Sequence, residues 1–300
     1  MRPGSLTPRQ RRLLALEVGL VLAVSYGHHG VYALLDLINL LMQPGSLADQ
    51  PVDMNYQITY WPWLDLLYQL ARFAFALAPA ALAIYLLATR PFADAHALSD
   101  AGPNLALLSG PKERAGQDVW SRLGLDPGRR LGKPFQDGEW AASDTAVPSP
   151  QLKRRSEALR DLRRAVLLAA GIGLPGLAFF WLGRQMGITA DVSTSSLGGV
   201  WWTVPVLVLA AFAAGAGEEI VVVGYVVTRL ETIGLKPWTV LAFSAVLRGS
   251  YHLYQGIGPF IGNVVMGLVF GAVFMRWRRV APLIGAHWLM DIVAFVGPLF

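Results

Sequence analysis

The stretch that decides the fold runs from residue 215 to residue 225 and reads GAGEEIVVVGY. It places two adjacent carboxylates, Glu218 and Glu219, inside a run that is otherwise apolar enough to cross a lipid bilayer. Two later apolar runs, LRGSYHLYQG from residue 247 and IGAHWLMDIVAF from residue 284, also carry ionisable side chains: Arg248, His252, His287 and Asp291. Because ionisable groups are costly in hydrocarbon, they usually face a polar interior. The three runs therefore predict helices that direct their charged residues at one site.

The composition is that of a membrane protein. Hydrophobic residues make up 54% and charged residues only 15% of the 300 residues, and the mean hydropathy is +0.44. Soluble domains contain about 25% charged residues. The net charge is +5, and the basic residues lie at the ends of apolar runs. This placement favours anionic lipid headgroups over nucleic acid as their partner. The chain has no cysteine, so disulfides, thiol nucleophiles and cysteine metal ligands are excluded.

Apolar runs of about 18 residues or more predict an all-α polytopic transmembrane bundle of about seven spans. The first run follows a basic start and continues towards Met42 without a clear cleavage site, so we expect an uncleaved membrane helix there. The predicted spans cover residues 13–41, 63–88, 165–184, 200–228, 237–254, 260–275 and 280–297.

The distribution of Lys and Arg predicts the orientation, because cytoplasmic loops hold the excess. The N-terminal tail has four of these residues, the segment 43–62 has none and the segment 89–164 has thirteen. Two later predicted turns also carry basic residues: Arg229, Lys236, Arg276, Arg278 and Arg279. We therefore expect a multi-pass protein of the cell membrane with its N-terminus in the cytoplasm and its C-terminus outside.

The same pattern divides the chain into three parts. Residues 1–88 form a predicted N-terminal transmembrane hairpin, and residues 165–300 contain the motif-bearing spans. Between them, residues 89–164 are rich in Pro, Gly and charges of both signs, which predicts a partly disordered cytoplasmic loop. Its last part, QLKRRSEALRDLRR from residue 151, has the character of a basic helix that leads into the third span.

The ionisable residues of the three runs have spacings that suit hydrolysis. His287 and Asp291 are four apart and share one helical face, while His252 comes from another run. Two histidines and a carboxylate suit a divalent metal, zinc above all, with an open position for water. A separate glutamate near that water would act as general base on a peptide carbonyl. Glu218 and Glu219 lie about 100° apart on a helix, so at most one of them points squarely at the site.

The net charge of this cluster is consistent with a bound metal ion but does not require one. Three ionised carboxylates and the Arg248 guanidinium leave the cluster at −2, which a divalent cation would cancel. Protonation of one or two carboxylates would relieve the charge equally well. Arg248 lies four residues before His252, so its guanidinium should lie beside the imidazole on one helical face. We also expect Arg248 to hold a carboxylate or to polarise the scissile carbonyl.

In this order on successive predicted helices, EEIVVVGY, LRGSYHLYQG and HWLMD resemble the three motifs of the CPBP family. This family comprises CAAX prenyl endopeptidases of the Ras-converting type together with bacteriocin-processing and immunity proteins, and the resemblance covers roughly residues 165–297. It implies an intramembrane endopeptidase, metal-dependent or glutamate-type, in which Glu218 activates water and three residues complete the site: His252, His287 and Asp291. It also implies a peptide or membrane-protein substrate, which in CAAX-type processing is prenylated.

The chain departs from the family pattern at two positions. The first family motif is EExxxR, and its arginine position is Val223; the second is FxxxH, and its phenylalanine position is Arg248. We hypothesise that Arg248 takes over the role of the lost arginine from the next helix. The departures also leave open a non-catalytic immunity or scaffold protein of the same family. A transporter is a further alternative, although the chain lacks the internal repeat on which many transporters are built.

Overall fold

The structure is a computed structural model that describes residues 6–89 and 150–299. We number the described helices in chain order as α1 (Pro8–Ala23), α2 (Tyr26–Met42), α3 (Pro62–Ala76), α4 (Ala78–Thr89), α5 (Pro150–Gln185), α6 (Thr203–Glu218), α7 (Val226–Ile233), α8 (Pro237–Ser250), α9 (Ile257–Trp277) and α10 (Ala281–Val296). A π-helical segment, Glu219–Tyr225, joins α6 to α7. Short 3₁₀ turns occupy Leu47–Asp49, Leu253–Gln255 and Gly297–Leu299. The predicted basic helix lies within α5, whereas residues 90–149 of the predicted loop lie outside the described residues.

The helices confirm an all-α, multi-pass membrane fold. Five segments are long and apolar enough to span a bilayer: Pro62–Thr89, Ser156–Gln185, Thr203–Ile233, Ile257–Trp277 and Ala281–Leu299. The pair α1 and α2, bent by 51°, makes a sixth if it is one span. The predicted count of seven is not confirmed, because the expected span 237–254 contains α8, which has only 14 residues. A straight crossing needs about 20 residues.

The motif-bearing span Thr203–Ile233 lies at the centre of the bundle. In its most apolar window 78% of the residues are buried, against 6% to 39% in the other four spans. We call this span, formed by α6, the π-helical segment and α7, the central helix. It contacts α3, α4, α8 and α10, while α9 packs along α8 and α5 packs along α10. Because the central helix is buried, its ionisable residues face neighbouring helices and not lipid.

Glycine residues allow neighbouring helices to pack closely at two places. A Cβ added at Gly215 of α6 would lie 3.2 Å from the backbone nitrogen of Trp288 and 3.3 Å from the Cβ of His287. A Cβ added at Gly267 of α9 would lie 2.8 Å from the Cα of Ala245 in α8. Both contacts lie one helical turn or less from predicted site residues. Small residues therefore bring the motif-bearing helices close together.

A buried ion pair attaches the N-terminal helices to the central helix. Glu17 of α1 lies 3.0 Å from the Nε of Arg229 and accepts a 3.0 Å hydrogen bond from the hydroxyl of Tyr225. Arg229 also donates a 2.7 Å hydrogen bond to the carbonyl of Leu86 in α4. Glu17 and Arg229 are both buried. These contacts hold α1 and α4 against the end of the central helix.

The loops at the opposite end of the bundle form a small cap. Strand β1 (Pro51–Asp53) pairs in parallel with β2 (Asp191–Ser193), which joins the loop after α2 to the loop after α5. The backbone N–H of Ala190 donates to the carbonyl of Gln255 at 2.9 Å, and that of Gly258 donates to the carbonyl of Ile188 at 2.8 Å. The turn that follows His252 is thereby attached to the cap.

The buried pair Glu17 and Arg229 generates a stability prediction. Glu17→Ala removes the buried carboxylate that contacts both Arg229 and Tyr225, which we expect to destabilise the protein by about 3 kcal/mol or more. Asp191→Ala is the matched control, since it removes the partner of Arg184 in a more exposed pair and should cost at most about 1 kcal/mol. Thermal unfolding of both variants in one detergent measures the difference. Equal melting temperatures would refute a structural role for the buried pair.

Candidate active site

The two glutamates lie where the central helix changes its winding. Glu218 is the last residue of α6, and Glu219 is the first residue of the π-helical segment. Both are buried, with 7% and 0% of their surface exposed. Single π-helical turns within α-helices are frequent at functional sites, because they change the direction in which following side chains point. Here the change of winding falls directly on the carboxylate pair.

Glu219 is held by two side chains from other helices. A guanidinium N–H of Arg248 in α8 donates to its Oε1, and the Nδ1 of His287 in α10 lies 2.8 Å from the same oxygen. A second guanidinium nitrogen of Arg248 lies 3.7 Å from the Oε2 of Glu218. Arg248 is fully buried and contacts the ring face of Phe270. Of the two placements expected for Arg248, the structure therefore has the one in which it holds a carboxylate.

Glu218 is held by a residue that the sequence patterns did not single out. The hydroxyl of Tyr251 donates a 2.8 Å hydrogen bond to its Oε2. Glu218 also lies within electrostatic range of His287, His252 and Arg248. The signal available in the sequence was the position of Tyr251 directly before His252. A tyrosine in an apolar run is usual in membrane proteins, which is why this position carries little information by itself.

His287 and Asp291 share one face of α10, as their spacing predicted. The Nε2 of His287 lies 3.5 Å from the Oδ2 of Asp291, and 20% of the Asp291 side chain is exposed. This separation exceeds the usual hydrogen-bond range of about 2.7–3.2 Å. The two side chains are therefore within ion-pair range but are not closely hydrogen-bonded to each other.

His252 lies beside the glutamates but not on α8. The helix ends at Ser250, and His252 begins the following turn, with its ring 4.9 Å from the ring of Tyr251. Arg248 and His252 therefore do not share a helical face in the way that four-residue spacing predicts. Both ring nitrogens of His252 are buried and lack a hydrogen-bond partner among the described residues. Buried polar atoms are rarely left unpaired, so this ring is suited to bind a small polar group.

The described residues contain no preformed metal-binding cluster. Within residues 6–89 and 150–299, no group of three or more His, Cys, Asp or Glu side chains is arranged to hold a metal ion. The zinc site expected at His252, His287 and Asp291 therefore stays a prediction. One nitrogen of His287 is already occupied by Glu219, and Arg248 supplies positive charge beside the carboxylates.

Comparison with known families agrees with the motifs. Residues 200–293 match the family model described as Type II CAAX prenyl endopeptidase Rce1-like. The matched segment begins before α6, ends within α10 and contains all of the predicted site residues. Over these residues the chain is similar to the CAAX-type intramembrane proteases, which supports the resemblance that its motifs indicate. The family match gives no support to the narrower expectation of a metalloprotease. No curated protein and no solved structure showed a significant match to the chain.

The position of Arg248 predicts a strong coupling with Glu219. Arg248→Met leaves two buried carboxylates without their guanidinium, which should cost about 3–5 kcal/mol of folding free energy. Adding Glu219→Gln should recover much of this loss, because the double variant has one buried charge fewer. Arg278→Met is the control, since its pair with Glu231 is partly exposed and should be worth about 1 kcal/mol or less.

Thermal unfolding of the single and double variants in one detergent measures this coupling. If the losses of Arg248→Met and Glu219→Gln were simply additive, Arg248 would not be the partner on which the buried glutamate depends.

Proposed function

We propose that the protein is an intramembrane endopeptidase in which Glu218 activates a water molecule for attack on a peptide bond. One observation carries this proposal: the Glu218 carboxylate lies 3.7 Å from the Arg248 guanidinium of α8 and within electrostatic range of His287 on α10 and of His252 in the turn after α8. Glu218 is also the last residue of the 16-residue helix α6 and lies near the middle of a 31-residue apolar span. A carboxylate at that depth is costly unless it serves a function.

The reaction needs one base and groups that stabilise negative charge. Glu218 accepts a proton from water, and the water oxygen forms a bond to the carbonyl carbon of the substrate. The carbonyl oxygen becomes an oxyanion, which hydrogen-bond donors of the site stabilise. The C–N bond then breaks, and the proton held by Glu218 passes to the leaving amine. The products are a carboxylic acid and an amine, and the glutamate returns to its starting state.

The remaining residues divide into two groups in this proposal. His252 has two unpaired ring nitrogens and lies beside Glu218, so it is suited to hold the attacking water or the oxyanion. His287 lies 3.5 Å from Asp291 on α10, and in this proposal the His287 imidazole contacts the substrate carbonyl. Arg248 and Glu219 keep this arrangement in place: the guanidinium anchors Glu219, and Glu219 orients the ring of His287.

The substrate class follows from the family and the bilayer. A CAAX-type protease acts on a peptide or membrane protein, and we propose that the substrate enters the bundle from the lipid phase. Prenylation of that substrate is the finer proposal, and it rests on the family resemblance. The proposed orientation places the N-terminus in the cytoplasm, because the thirteen Lys and Arg residues of the segment 89–164 are expected on that side.

A second candidate function is supported by Val223. The family motif EExxxR has an arginine at this position, and the loss of a motif residue is what a non-catalytic immunity or scaffold member would show. The contact between Arg248 and Glu219 favours the enzyme, because it returns a guanidinium to the carboxylate pair.

Substitution of Glu218 tests the enzyme directly. We expect cells carrying the wild-type protein to contain peptide termini in the membrane fraction that cells carrying Glu218→Gln lack, because the amide cannot accept the proton from water. Mass spectrometry of all termini, at equal protein abundance, measures this. Glu231→Gln is the matched control, since Glu231 pairs with Arg278 away from the site. Identical termini in wild type and Glu218→Gln would favour the non-catalytic function.

Metal removal tests the form of the mechanism. We expect cleavage by the purified protein to persist in EDTA and in 1,10-phenanthroline, because Arg248 already offsets negative charge at the carboxylates. An established zinc protease in the same detergent serves as the positive control for chelation. A loss of cleavage that added zinc restores would instead support a metal held by three residues: His252, His287 and Asp291.

A further inference from the structure

Tyr251 occupies a position from which it controls one oxygen of Glu218. It follows the last residue of α8, is 6% exposed and donates its hydroxyl hydrogen to the Oε2 of Glu218 at 2.8 Å. A glutamate side chain has several rotatable bonds, so an unanchored carboxylate loses entropy when it adopts one orientation. A hydrogen bond to one oxygen restricts that motion and directs the other oxygen. Tyr251 thus acts on the base without being the base.

Tyr26 packs on Tyr251 from the N-terminal helices. It is the first residue of α2, and its ring centroid lies 5.0 Å from that of Tyr251. Its hydroxyl approaches the central helix at Gly217, where an added Cβ would lie only 2.5 Å from the hydroxyl oxygen. Gly217 directly precedes Glu218 in the chain. Tyr26 therefore contacts both the residue before Glu218 and the tyrosine that bonds to Glu218.

The geometry of α1 and α2 places Tyr26 at this level. The two helices are bent by 51° at a break next to Ser25, whose hydroxyl donates to the carbonyl of Val21 at 2.6 Å. One turn further along α2, Gly30 approaches Ser250 so closely that an added Cβ would lie 2.6 Å from its Oγ. The start of α2 is thereby placed against the end of α8, where Tyr251 lies.

We propose that Tyr251 and Tyr26 are positioning residues for Glu218, with Tyr251 orienting the carboxylate and Tyr26 supporting Tyr251. This inference rests on the proposed endopeptidase function. It also extends the site beyond residues 200–293, the segment matched by the family, because Tyr26 belongs to the N-terminal helices. The helices α1 and α2 are then part of the catalytic apparatus and not only a membrane anchor.

The first test removes the hydrogen bond and keeps the ring. In the full-length protein, Tyr251→Phe should lower kcat about 10- to 100-fold with KM little changed, because a misplaced base affects the transition state more than substrate binding. Tyr225→Phe is the matched control: Tyr225 is also buried and also donates to a glutamate, Glu17, at 3.0 Å. The Tyr225→Phe variant should lose about as much thermal stability as Tyr251→Phe, but its kcat should be unchanged.

The second test separates positioning from packing. Tyr26→Ala should lower kcat, whereas Tyr26→Phe, which keeps the ring contact with Tyr251, should retain most of it. If Tyr26 acts through Tyr251, the double variant Tyr26→Ala with Tyr251→Phe should be no slower than Tyr251→Phe alone. Losses that multiply in the double variant would overturn the proposed support of Tyr251 by Tyr26.

The outcomes distinguish this inference from the proposed function. If the wild type cleaves a substrate, Glu218→Gln does not, and Tyr251→Phe retains the wild-type kcat, then the positioning role is wrong and the endopeptidase stands. If Tyr251→Phe and Tyr225→Phe lower kcat equally, the effect is structural and the positioning role is again wrong. If wild type and Glu218→Gln yield the same termini, both proposals fail together.

Discussion

Glu218 and Glu219 are adjacent, buried and near the middle of a membrane span, and Arg248 lies against both of them. Two carboxylates in such a place repel each other and lose their hydration, so they require a positive charge nearby. The guanidinium meets this requirement because it is planar, charged and able to donate several hydrogen bonds at once. The packing of α8 against the central helix therefore includes an ion pair as well as apolar contacts. Most of the other features of the site depend on that pair.

The ion pair between Arg248 and Glu219 also affects the position of the His287 imidazole. Glu219 accepts from Arg248 and also contacts the Nδ1 of His287, so one carboxylate oxygen connects α8 to α10. The orientation of His287 is thus linked to that of Arg248. An arginine at position 223, where this chain has valine, would lie on the same membrane span as the two glutamates. In this chain the contact instead crosses between helices, which adds a constraint on how α8 and the central helix lie together.

The N-terminal helices belong to the same arrangement. Glu17 binds Arg229 and Tyr225 at one end of the central helix, and Tyr26 packs on Tyr251 near its middle. Polar contacts in a bilayer are among the forces that hold helices together, since lipid offers no alternative hydrogen-bond partner. These contacts explain why the chain carries ionisable residues in α1 although the family match begins only at residue 200.

The sequence by itself determined the class of protein, the motif-bearing helices and the residues that meet at the site, because apolar run length and the position of an ionisable residue are local properties. His287 and Asp291 could be placed on one face because α10 is a regular helix. The tertiary structure alone decided the other contacts: Arg248 on Glu219, Tyr251 on Glu218 and Tyr26 on Tyr251. It also decided that α8 ends at Ser250, before His252. The physical reason is that a π-helical segment and a helix end both depart from the regular 3.6-residue period. Contacts between residues far apart in the chain depend on packing, which no local pattern encodes.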